Sequence, residues 1–201
     1  MSSLGQLDLD YLDRYILSVS ARREGSSRFG ANNRWATFPR VAGTWIASYE
    51  PWWPSQDALS LVKFRAAYGK AGQRPSRTAQ YETFSITSTG ALSPGTLGNA
   101  NLKPEILTEI ELGTDMELFG RYALQVTYAQ STSEDQILLV PAPAASGFPN
   151  QWRNAGQLQN KTWEASLDIP LINRSDMRWS TRLIYDRNRA VITRLDVPPY
   201  N

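Results

Sequence analysis

A period of two runs through this sequence and constrains its fold more than any other feature. From Ile106 the even positions read Ile106, Thr108, Ile110, Leu112, Thr114, Met116 and Leu118. The odd positions between them read Leu107, Glu109, Glu111, Gly113, Asp115 and Glu117. A helix would place Ile106, Glu109 and Asp115 on overlapping faces, whereas a strand sends the apolar and acidic sets to opposite sides. Tyr122, Leu124, Val126 and Tyr128 repeat the scheme against Ala123, Gln125, Thr127 and Ala129. Only Phe119-Gly120-Arg121 separates the two runs, the length of a tight hairpin.

Further runs carry the same alternation. Tyr15, Leu17, Val19 and Ala21 oppose Ser18, Ser20 and Arg22, and Val62, Phe64, Ala66 and Tyr68 oppose Lys63, Arg65 and Ala67. Trp163, Ala165, Leu167 and Ile169 oppose Thr162, Glu164, Ser166 and Asp168, and Trp179, Thr181, Leu183 and Tyr185 oppose Ser180, Arg182 and Asp186. With weaker segments at 39–49 and 136–140, the pattern predicts an all-β chain: an antiparallel meander of about eight strands of roughly ten residues each.

The connections alternate in length. Short ones fall at 119–121 and 170–176; long ones, rich in Gly, Pro, Asn and Ser, at 24–35, 69–80, 88–103 and 141–161. Compact soluble sheets seldom carry several loops beyond about 12 residues. Membrane barrels do, with short periplasmic turns and long outside loops. Tyr15, Tyr68, Tyr122, Tyr128, Trp163, Trp179 and Tyr185 fall at or near strand ends on the apolar face, where amphipathic rings suit a bilayer interface. Tracing the strands by parity puts 119–121 and 170–176 on the periplasmic side and 88–103 and 141–161 outside. It also requires 130–135 to lie outside, with 136–140 beginning a return or folding within the loop. The alternative is a soluble β-sandwich with these aromatics in its core, a carbohydrate-binding module using Trp52, Trp53 and Trp45 as its platform.

Composition narrows the function. The 201 residues contain no His and no Cys. That removes every His-based triad, every thiolate nucleophile, disulfides and the usual zinc ligand sets. No catalytic, metal-ligating or cofactor-binding residue is assigned, and the chain is not read as an enzyme. Lys and Arg number 21 against 19 Asp and Glu, a net charge of +2, and they are dispersed, so no nucleic-acid partner is expected. No apolar run approaches the roughly 18 residues of a membrane helix, and the opening MSSLGQLDLDYLDRY lacks the n- and h-regions of a signal peptide. Strand spans leave no hydropathy signal, so a barrel stays open.

An ordered set of blocks resembles a known family. RREGSSRFG at 22–30, NNRWATFP at 32–39, GTW at 43–45, LVKFRAAYGKAGQ at 61–73 and NANLKPE at 99–105 stand in sequence. LGTDMELFGRYALQVTYAQSTSEDQILLVPAPAASGF at 112–148 and NAGQLQNKTWE at 154–164 complete the set. Together they resemble the C-terminal barrel region of SusC/RagA-like TonB-dependent outer-membrane receptors. The resemblance implies part of a large transmembrane β-barrel in a Gram-negative outer membrane, importing oligosaccharides or peptides, with no bond chemistry and no cofactor. It implies a SusD-like lipoprotein closing the outer face, TonB–ExbB–ExbD supplying energy through a plug, and contact with outer-membrane lipid. Residues 1–201 are expected to be a partial barrel domain, because no plug, no TonB box and no terminal aromatic strand is recognisable. The family's N-K-G-x-E pattern is replaced by Asn160-Lys161-Thr162-Trp163-Glu164, which puts a bulge near Thr162 in doubt.

Three features have both a functional and a plain reading. Glu109, Glu111, Asp115 and Glu117 could be a cation site or an acid pair, but any i, i+2 pair on a strand stands roughly 7 Å apart. They are expected to meet Lys63, Arg65 or Arg182 on a polar lumen face. Gly25–Gly30 looks like a phosphate loop but lacks the Lys-Ser/Thr ending and a following helix. Trp52 and Trp53, framed by Pro51 and Pro54, are the candidate ligand-binding residues, by stacking on a sugar, and equally candidates for an interface anchor.

Overall fold

In the computed structural model, which describes residues 1–26, 34–54 and 58–197, one sheet carries nearly the whole chain. Its path takes in β1 (Ser2–Tyr11), β2 (Tyr15–Gly25), β3 (Trp35–Ile46) and β4 (Leu59–Gln73). The excursion that follows holds β5 (Phe84–Ile86), β6 (Leu92–Pro94) and β7 (Thr96–Leu97). The path resumes with β8 (Glu105–Leu118), β9 (Tyr122–Pro141), β10 (Asn150–Asn173) and β11 (Arg178–Leu195). Strand order is β1-β2-β3-β4-β8-β9-β10-β11, every neighbour antiparallel. This is the antiparallel meander expected from the alternation, and the described strands offer no second sheet of comparable size to close a sandwich.

The count of eight is reached differently from the sequence expectation. Residues 136–140 do not turn back: β9 runs unbroken from Tyr122 to Pro141 and stays paired to β10. Asp135, with φ 54°, and register shifts between Asn154 and Gly156 and between Gly156 and Leu158 mark bulges, which break the alternation without ending the strand. That removes one strand from the expected tally, and β1 restores it. The opening LGQLDLDY pairs residue for residue with β2 from Ser2↔Glu24 to Tyr11↔Tyr15. Thr162 pairs regularly with Ala129, so no bulge sits there.

One of the expected long loops is mostly strand and a second is partly so. The 141–161 segment is a loop only over 142–149, with β10 starting at Asn150, and β4 extends to Gln73. At the opposite edge, Leu12 and Asp13 have φ of 57° and 54°, and Phe119 and Gly120 have 54° and 58°. Two successive left-handed residues give the twist of a tight hairpin, so these connections are three residues long. The β3–β4 connection and the 174–177 turn lie at this same edge, while the β2–β3, β4–β8 and β9–β10 connections lie at the other. The Gly25–Gly30 stretch that resembles a phosphate loop falls mostly in 27–33, outside the described residues.

Buried side chains are few because the sheet packs against nothing broad. Among them, Val140, Ala155 and Val197 form a small cluster with Leu138 at the long-loop edge, and Leu102 is fully buried. The long excursion is tied down there. Asn99 donates to Trp152 O at 2.9 Å, Gln151 to Gly98 O at 3.1 Å, and Asn154 accepts from Lys103 N at 2.9 Å.

Candidate functional site

The register sorts side chains into two faces across all eight strands. One face carries the cross-strand rows Leu9, Leu17, Gly43, Ala66, Leu112, Tyr128, Trp163 and Tyr11, Tyr15, Trp45, Phe64, Thr114, Val126, Ala165, Tyr185. The other carries Asp10, Ile16, Thr44, Arg65, Gly113, Thr127, Glu164, Asp186 and, one row on, Asp8, Ser18, Ala42, Ala67, Glu111, Ala129, Thr162, Asn188. A single sheet with one apolar and one charged face has the sidedness of a wall between hydrocarbon and water.

On the polar face the four strand carboxylates part company. Asp115 accepts Lys63 Nζ at 2.7 Å and Arg65 Nη2 at 3.0 Å. Arg65 also reaches Glu111 Oε1 and Thr127 Oγ1, both at 3.4 Å. Glu109 and Glu117 take no part in these ion pairs, and Arg182 serves Asp168 instead, in a fork of 2.6 and 2.9 Å. The cations between the carboxylates make this a charge lattice. An acid pair would need two carboxyls held in different protonation states, and among the described residues no group of three or more Asp and Glu is placed to hold a metal. An open, ~300 Å³ hollow lies beside the lattice, lined by Arg65, Glu111, Thr127, Ala129, Thr162 and Glu164.

On the apolar face the rings gather at the short-turn edge. Phe64 stacks on Trp45 at 5.6 Å, Trp45 meets Trp52 at 6.5 Å, and Trp52 meets Trp53 at 6.0 Å. Trp52 and Trp53 thus continue the lipid-type aromatic row, at the edge away from the long loops. Glu50 pins the cluster: Tyr15 donates its hydroxyl to Oε1, Trp45 Nε1 donates to the same oxygen at 3.1 Å, and Arg14 closes on Oε2 at 2.9 Å. Those bonds, Tyr15's first and Trp45's next, hold the Glu50 carboxyl below its ordinary value against burial, which raises it. Sequence reasoning overlooked Glu50, whose only signal is a lone acid between two aromatic groups. At the same edge Arg121 donates to Pro170 O at 3.0 and 2.6 Å and to Leu171 O at 3.1 Å, lacing the β8–β9 turn to the end of β10.

Comparison with known proteins agrees with this geometry. The family model "TonB dependent receptor-like, beta-barrel" matches residues 3–200. TonB-dependent receptor P3 of Formosa agariphila is 33% identical over 97% of this chain and 20% of its own length. TonB-dependent receptor SusC of Bacteroides thetaiotaomicron is 30% identical over 97% of this chain and 21% of its own length. The chain therefore spans about a fifth of the length of these curated relatives. The RagAB peptide importer in its closed-closed state aligns with a TM-score of 0.84 and 26% identity, over 98% of this chain and 22% of that one. The siderophore receptor PirA of Pseudomonas aeruginosa, at 20% identity, TM-score 0.63, and coverage of 93% and 34%, shares the fold.

Proposed function

The chain belongs to the TonB-dependent receptor β-barrel family, in its SusC/RagA-like branch, and on that premise we propose that it forms part of the wall of an outer-membrane importer of oligosaccharides or peptides. The observation that carries this reading is the facial division kept across eight strands. The apolar rows face lipid, and the Lys63–Asp115–Arg65–Glu111 lattice faces the aqueous lumen. Passage needs no bond chemistry, so these side chains line a path and do not act on a substrate. Residues 1–201 are then one barrel domain segment, with no cofactor.

The remaining components are part of the same proposal, supported by the likeness to SusC and to the RagAB importer. A SusD-like lipoprotein closes the long-loop side, and TonB–ExbB–ExbD drives transport through a plug. Trp52 and Trp53 anchor the wall at the periplasmic interface, since amphipathic rings sit at the headgroup level.

The test is uptake of a panel of labelled oligosaccharides and peptides by cells with and without the full receptor gene, in tonB-plus and tonB-null backgrounds. Loss of uptake of one class on deleting either gene is expected. Uptake of every panel member unchanged by both deletions would contradict the reading.

A further inference from the structure

Three cations cluster on the largely apolar face, which also carries Arg23 on β2 and Lys70 on β4. Lys161 on β10 pairs across to Arg189 on β11, and Trp163 to Arg187, which puts Lys161, Arg187 and Arg189 beside one another on that face. Among the described residues none of the three has a carboxylate partner, whereas Arg65 and Arg182 on the polar face both do. An unpaired Arg or Lys on a lipid-facing wall is costly at the bilayer midplane and nearly neutral at the interfaces, so their depth decides their meaning.

The strands supply the depth. β10 leaves the short-turn edge at Asn173. At about 3.3 Å per residue and a tilt of about 40°, Trp163 lies about 25 Å above that edge and Lys161 about 30 Å. That is the height of the apolar band. Trp179, near the short-turn edge, and the Tyr128–Trp163 ring pair, 4.7 Å apart, stand at its two borders. Arg187 stands level with the upper border, and Lys161 and Arg189 one row beyond it, at the outer-leaflet headgroups. Directly below them a groove of about 310 Å³ opens on the apolar face, lined by Val126, Trp163, Glu164, Ala165, Tyr185 and Arg187. Its two rings are half exposed, Trp163 at 49% and Tyr185 at 55%.

We propose that this groove and the cations above it bind a phosphate-bearing lipid of the outer leaflet, an acyl chain lying between the Trp163 and Tyr185 rings and the phosphate held by Arg187, Arg189 and Lys161. The proposal rests on the transmembrane reading above, which sets the depth. The chemistry fits each part. A guanidinium presents parallel N–H donors that match phosphate oxygens bidentately, and Lys adds a compact positive charge. The apolar floor running from Arg187 toward mid-bilayer is what a free phosphate would leave empty and a lipid would fill.

The test uses the full receptor in detergent, with bound lipid counted by native mass spectrometry after adding diphosphoryl lipid A, the same lipid dephosphorylated, or lipid A with millimolar inorganic phosphate as competitor. Heat-modifiable gel migration reports the folded barrel in each sample. Wild type is expected to retain the phosphorylated lipid, to lose it with the dephosphorylated one, and to be unaffected by free phosphate. The triple variant Lys161→Gln, Arg187→Gln, Arg189→Gln should bind about 100-fold more weakly and Arg187→Gln alone about fivefold, at about one surface-charge increment per residue. Arg174→Gln with Arg178→Gln, at the opposite edge, should change nothing. A folded triple variant that retains lipid A like wild type, or a folded wild type that holds none, overturns the proposal while leaving the transport reading intact. Competition by free phosphate also overturns it, in favour of an ion site. A wild-type receptor with no heat-modifiable migration overturns both.

Discussion

Arg65 on β4 carries its guanidinium over Gly113 on β8, where a Cβ would stand 2.8 Å from Nη2 and 3.0 Å from Cζ. The missing side chain at Gly113 lets one arginine reach Asp115, Glu111 and Thr127 together. Replacing Gly113 by Ala should push the guanidinium aside, and because its far end is flexible the barrel should still assemble. Gly72→Ala makes the contrast, since its Cβ would overlap Cζ of the buried Phe38 ring. A rigid ring cannot yield, so an overpacking cost of about 1–3 kcal/mol is expected there and under about 1 kcal/mol at Gly113. Thermal unfolding of the two variants in detergent measures the difference.

Asp115 is the anchor of that lattice, with two cations on it, while Glu111 holds one distant contact. Asp115→Asn should cost about 1–2 kcal/mol, because Lys63 and Arg65 are left facing each other, and Glu111→Gln about 0–1 kcal/mol. Denaturant unfolding of both variants, and of the Arg65→Met/Asp115→Asn pair in a double-mutant cycle, checks the ranking. Equal costs would remove Asp115 from its central place.

The sequence showed the faces better than it showed the ends. Alternation at Ile106–Leu118 or Trp163–Ile169 reads directly as sidedness because the side-chain period of a strand is two. It fails where one extra residue flips the phase, as at Asp135, so β9 looked like two segments. The hairpin at Leu12-Asp13 carries none of the Gly or Asn that usually announces left-handed residues, which hid β1. The Arg65–Asp115 contact was among the expected pairings, but the choice of Asp115 over Glu109 depends on register, which joins residues 50 apart. Arg182 found Asp168 on its neighbouring strand instead.

The faces themselves can be tested by charge. Leu124→Arg and Val126→Arg put a cation on the lipid side of β9; Leu124→Arg, nearer the midplane, should cost about 2–4 kcal/mol and Val126→Arg, one row below the upper border, less, whereas Gln125→Arg, on the lumen side, should cost least. Assembly of the full receptor, followed by heat-modifiable migration, reports it. Equal assembly of all three variants would mean the faces are wrongly assigned.

The Glu50 knot predicts a pH dependence with a definite sign. Its carboxyl is held below the ordinary value by Tyr15, Trp45 and Arg14, so the knot contributes fully above about pH 4.3, the unfolded value, and is lost as pH falls through the lower folded one. The stability gap between wild type and Glu50→Gln should be flat from pH 6 to 8 and close in the acid range below that value. A gap that widened on acidification would carry the wrong sign.

Surface labelling of the full receptor on intact cells tests the barrel-wall topology most directly. Epitope tags inserted at Gly90, on the β5–β6 hairpin, and at Gly147, in the β9–β10 loop, should bind antibody on unbroken cells, because both lie at the long-loop edge. A tag at Gly120, in the β8–β9 turn, should become reactive only after permeabilisation. Labelling at Gly120 with silence at Gly90 and Gly147 would invert the orientation, and equal labelling of all three on intact cells would contradict a wall that spans the membrane.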